Sequence, residues 1–86
     1  MFLYDVTRTV TKKVDASSAI PAVADDTQGG RHTVWIYALD DVYVGGVDVS
    51  AENGIKIPAG NNALFPVNNR KALYVVGGSC VIADFF

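Results

Sequence analysis

The sequence predicts an all-β domain, a small antiparallel β-sandwich or barrel of about six to eight short strands. Three observations lead there. Val, Thr, Ile, Tyr and Phe are common while the helix formers Leu, Glu and Met are scarce, a balance that favours strands. Apolar residues alternate with period two in several short runs, as in Val42-Tyr43-Val44 and Ile55-Lys56-Ile57, which puts the branched side chains on one face. Turn signals such as Asp40-Asp41, Asn53-Gly54, Asn61-Asn62 and Gly77-Gly78 recur at roughly ten-residue spacing.

Taken in order, residues 2–14 (FLYDVTRTVTKKV) read as a first strand. Tyr4, Val6, Arg8, Val10 and Lys12 fall on one face and Asp5, Thr7, Thr9 and Thr11 on the other. Residues 15–31 change in texture, with Ser17-Ser18, Pro21, Asp25-Asp26 and Gly29-Gly30. They are expected to form a long loop or contact arm, extended over 19–23. A loop this long in a small domain commonly carries function or is ordered by a partner. Residues 32–39 give the clearest strand. Val34, Ile36 and Ala38 share one face, and Thr33, Trp35, Tyr37 and Leu39 the other. With both faces apolar, this strand is expected to be central and covered on both sides.

Asp40-Asp41 is expected to turn the chain in a tight hairpin into Val42-Tyr43-Val44. Gly45-Gly46 marks a bulge or bend, with Val47 to Val49 continuing the strand. Residues 50–54 read as one tight turn, in which Ser50 can accept a backbone N–H bond and Gly54 can take positive φ. Ile55 to Ile57 is a short strand ended by Pro58. Ala63 to Val67 resumes as a strand, and Pro66 places it at an edge or marks the strand's end. Residues 72–76 and 79–86 are expected to form a last hairpin across Gly77-Gly78.

The 86 residues, half of them hydrophobic, make one domain spanning 1–86 with a thin core. Oligomerisation is one way to supply the missing burial. The net charge of −2 and a pI near 5.0 do not describe a nucleic-acid footprint. Lys12-Lys13 and Arg70-Lys71 read as solvated strand ends. No apolar run approaches the ~18 residues of a membrane span, and the apolar start Phe2-Leu3-Tyr4 is broken at Asp5 without forming a signal peptide. The sequence therefore predicts neither nucleic acid nor membrane as a partner.

Candidate chemistry is sparse. Cys80 is the sole cysteine and His32 the sole histidine, so there is no metal motif and no evident thiol–imidazole pair. Cys80 lies in a β-type run and reads as a small buried hydrophobe. The glycine pairs are not followed by helices, which excludes a phosphate-binding loop. The carboxylates lack the DxDxDG calcium pattern. The reading is a non-enzyme with no catalytic residue, cofactor or metal.

Most of the aromatics are expected in the core. Trp35, Tyr37 and Tyr43, if exposed together, would instead form a stacking strip for a sugar. The termini are unusually apolar, where most domains fray into polar tails. Either they pair with each other in one sheet or they dock on another chain. The residues assigned to an interface are Phe2, Leu3, Tyr4, Ile20, Pro21, Val23, Phe85 and Phe86.

The stretch Tyr43-Val44-Gly45-Gly46, Val49-Ser50, Asn53-Gly54, Ile55 to Ile57 and Pro58-Ala59-Gly60, followed by Leu73-Tyr74, resembles small virion proteins of tailed bacteriophages. The resemblance covers residues 33–86 and has no counterpart for 1–31. It implies an all-β virion structural protein, foremost a capsid decoration (cement) protein on the capsid exterior, made in the bacterial host's cytoplasm. Its implied partners are the major capsid protein and further copies of itself, a trimer being favoured on a symmetric lattice. A head-fibre, head–tail junction or carbohydrate-binding module of the virion is the alternative.

Overall fold

The structure, a computed structural model, describes residues 9–23, 32–67 and 73–85. Among these residues are eight strands: β1 (Thr9–Asp15), β2 (Ile20–Pro21), β3 (His32–Ala38), β4 (Val42–Gly45), β5 (Ile55–Ile57), β6 (Asn62–Val67), β7 (Tyr74–Val76) and β8 (Ser79–Phe85). They form two four-stranded antiparallel sheets, ordered β1-β8-β3-β6 and β2-β7-β4-β5. The pairs β1–β8, β2–β7, β3–β6 and β4–β5 are nested. The first half of the chain is therefore laid against the second as one long ribbon, rolled so that its two ends close into sheets. That topology is a jelly roll.

Between the sheets lies an aliphatic core of Ala16, Ala22, Val34, Ile36, Ala38, Val42, Val44, Ile57, Val75, Cys80 and Ile82. The alternation explains it: Val34, Ile36 and Ala38 of β3 face inward beside Cys80 and Ile82 of β8. Each buried branched side chain contributes about 1.5–3 kcal/mol relative to leaving it in water. The buried polar side chains among the described residues are Thr33 and Asp84.

Several expected connections differ. β3 and β4 do not form a hairpin, because Asp40-Asp41 carries the chain from one sheet to the other. β7 and β8 likewise lie in different sheets, so Gly77-Gly78 is a corner rather than a hairpin turn. Neither expected hairpin forms; β4 and β5 pair as a hairpin around residues 46–54, and Val47-Asp48 turns instead of extending the strand. β3 is central as expected, but its outer face is closed only at Thr33 (3% exposed) and left open at Trp35 (39%) and Tyr37 (37%). The core is therefore aliphatic rather than aromatic. The segment expected as a loop or arm is described as far as Val23, and this part is anchored: Ile20-Pro21 pairs with β7, and Ala16 and Ala22 are fully buried. The first strand is described from Thr9 on. The placement of β6 at a sheet edge agrees with Pro66, whose missing N–H is tolerated there.

The corner crossings are stitched together at one end of the roll. Gly77 N–H donates to the Ala16 carbonyl (2.7 Å) and Ala16 N–H to the Gly78 carbonyl (2.9 Å). Ser79 N–H donates to Asp40 Oδ2 (3.0 Å), and Ala59 N–H to Asp41 Oδ1 (2.9 Å). The chain here passes so close that a Cβ at Gly77, whose φ is +125°, would stand 2.9 Å from the Asp41 carbonyl oxygen. The Ala59 N–H, and after it the Lys56 ammonium 3.6 Å away, hold the Asp41 carboxyl below its ordinary pKa.

Gly77→Ala is expected to destabilise the fold markedly. It combines positive-φ strain of about 1–2 kcal/mol with the backbone clash. Gly60→Ala, with φ +86° and nothing within 4 Å of its would-be Cβ, carries the strain alone. Urea unfolding of the two variants should rank Gly77→Ala as the costlier; equal losses would show that the corner has room to give.

Candidate functional site

Of the residues assigned to an interface, the four that are described lie on different sheets. Phe2, Leu3, Tyr4 and Phe86 lie outside the described residues. Ile20 is half-buried and packs against the core, Pro21 is exposed and Val23 half-buried, all at the β2 edge of the second sheet. Phe85 belongs to β8 in the other sheet and pairs with Thr9 and Thr33. The β2 edge and Phe85 are thus separate surfaces.

Register brings another set of side chains together. On the outer face of the β1-β8-β3-β6 sheet, one row reads Thr11, Ala83, Trp35, Leu64 and the next Lys13, Val81, Tyr37, Asn62. Trp35 (39% exposed), Tyr37 (37%) and Leu64 (46%) stand at its centre. The Trp35 indole Nε1–H donates to Asn62 Oδ1 at 3.1 Å, diagonally across to the edge strand, which fixes the orientation of the ring. Tyr43 lies in the other sheet and is half-buried, so the three rings do not form one strip. The parity of Trp35 and Tyr37 was readable from alternation; that both stay exposed was not.

The glycine-rich unit of residues 42–60 is built for shape. Asn53 Oδ1 accepts the Ser50 N–H (2.7 Å) and Asn53 Nδ2 donates to the Asp48 carbonyl (3.3 Å). Ser50 Oγ accepts the Glu52 N–H at 3.3 Å, as expected of that hydroxyl. Gly54 does not take positive φ. It is needed because a Cβ there would lie 2.7 Å from Tyr43 Cβ and 2.9 Å from the Ser50 carbonyl.

Cys80 is fully buried, and desolvation pushes its thiol from an ordinary 9.0 up to about 11. Among the described residues no three His, Cys, Asp or Glu side chains come together as metal ligands would, and no helix is long and apolar enough to cross a membrane.

No family model matches the chain, and no curated protein matches it. A similar solved structure comes from work describing Bacillus endospore appendages as a novel family of disulfide-linked pili. It has a TM-score of 0.54 at 18% identity, over 92% of this chain and 84% of that one. At that identity the likeness is one of fold.

A thiol reagent at pH 8 is expected to leave folded Cys80 unmodified and to label it stoichiometrically in denaturant. Because the folded pKa lies above the unfolded one, the unfolded chain loses this proton first. Cys80's contribution to stability is complete below about pH 9 and falls as the pH rises towards 11. Comparing denaturation midpoints of the protein and Cys80→Ala across that range checks it; parallel curves would mean that the thiol is not desolvated.

Proposed function

We propose that this domain is a non-catalytic structural protein that adheres to a larger assembly, specifically a decoration protein on the exterior of a bacteriophage capsid. The observation that carries the reading is the use made of the unit resembling phage virion proteins. Its Gly45, Gly54, Asn53 and Ser50 are taken up in close packing and hydrogen bonds that shape the hairpin. The jelly roll suits such a role, since viral capsid and lectin domains share this architecture, although a fold hosts many functions.

On this proposal the domain sits over a junction between copies of the major capsid protein and opposes their separation under internal pressure. The symmetry of such junctions favours a trimer. Contacts would draw on the exposed Pro21 and half-buried Val23 at the β2 edge and on the apolar terminal residues 2–4 and 86. Deleting residues 1–31 would be a poor test, because β1 and β2 belong to the two sheets.

The test uses the intact chain. Purified protein is added to undecorated shells of the phage whose genome carries this sequence, and bound copies are counted after sedimentation. Saturation at a fixed ratio to the capsid subunit, with a raised shell melting temperature, is expected. Copies numbering a few dozen or fewer on native virions would point to a fibre or head–tail junction instead, and no binding to any particle would overturn the structural reading.

A further inference from the structure

We propose that the outer face of the β1-β8-β3-β6 sheet is a carbohydrate-binding platform, with Trp35 and Tyr37 as stacking surfaces for a linear, neutral hexopyranose chain. This goes beyond attachment to a shell and is independent of it.

The geometry is suited to successive sugar rings. Trp35 and Tyr37 are two residues apart on one strand, about 6.8 Å along it, and project from the same face. The indole is held by Asn62 before any ligand arrives, so little ordering entropy remains to be lost on binding. The apolar C–H faces of pyranose rings match aromatic faces, whose electron-rich surfaces attract polarised hydrogens. Around the rings stand polar side chains that can meet sugar hydroxyls: Asn62 on the edge strand, and Thr11 and Lys13 on β1.

Other occupants fit less well. The exposed portions of Trp35, Tyr37 and Leu64 sum to roughly 300 Å². That is the size of an ordinary surface patch and well short of the ~800 Å² per partner of a standard protein interface. A second copy packed on this face alone would not form a stable dimer. An extended peptide would find no backbone partners over the rings, since β3 is already bonded to β8 and β6. Stacking of nucleobases normally needs a positively charged groove, whereas this chain carries a net charge of −2 and one lysine stands in the two rows around the rings.

Trp35 is the sole tryptophan, so its emission reports the platform directly. The intact protein is titrated with cellohexaose and with hexa-N-acetylchitohexaose, and binding is checked by calorimetry. A saturable shift in Trp35 emission with either sugar is expected, with half-saturation below about 1 mM, an affinity of a few kcal/mol. Tyr37→Ala should weaken binding roughly tenfold, the scale of a lost stacking contact, while Tyr37→Phe retains it. Trp35→Ala should abolish the calorimetric signal. These side chains are exposed, and an unchanged circular dichroism spectrum confirms that each variant is folded. Three results would overturn the platform: no response to either sugar, a response unaltered in Tyr37→Ala, or a shift that follows protein concentration or added oligothymidylate instead of sugar.

Discussion

The hairpin joining β4 to β5 is the constraint on which the other pairings rest. The strands pair in nested order, β4 with β5, β3 with β6, β2 with β7 and β1 with β8, so each outer pair encloses all the inner ones. Only the innermost pair is closed by a short connection. Joining the ends of a long flexible loop costs conformational entropy that grows with its length, and each inner pair shortens the effective loop of the next. The side-chain bonds of Asn53 and the close passage of Gly54 by Tyr43 therefore do more than shape a local turn. They fix the register from which the rest is counted. A slip of one residue there would invert the inward and outward faces of the paired strand.

Local order was legible in the sequence, and long-range order was not. Alternation located β3, β4, β5 and β6 to within a residue or so, and it paired Val34, Ile36 and Ala38 correctly as one face. It gave no information on which sheet a strand joins. Asp40-Asp41 and Gly77-Gly78 look like hairpin turns because a short polar or glycine-rich connection serves either purpose. Here both carry the chain across the core. The deciding feature is the set of bonds linking Ala16, Gly77, Gly78, Asp40 and Asp41, made between residues far apart in the chain. The two faces of β3 posed a similar problem: parity separates them, but both are apolar. The aliphatic one turned inward, where Val34 and Ile36 interlock with Ile82 and Cys80, and the bulkier aromatic one was left outside.

The likeness to the appendage structure concerns the path of the backbone. What holds those pili together, by their published description, is disulfide bonding. Cys80 cannot take a corresponding part in the folded state, being inside the roll with its thiol kept protonated by burial. The shared architecture therefore does not carry over that linkage, as expected where function lies in surfaces placed on a common frame. For this chain the surfaces we propose for that role are the aromatic face of one sheet and the β2 edge of the other.

The pairing of Thr9 with Phe85 has a mechanical consequence. The first and last described strands are antiparallel neighbours, with the start of one beside the finish of the other. A force drawing these two ends apart would peel β1 from β8 like a zipper, breaking hydrogen bonds one after another instead of all at once. A domain wired in this way is a weak link when strung end to end, yet it resists well when gripped by its flanks. Tension in any scaffold that incorporates it is best borne across the body of the roll, with the two ends left slack.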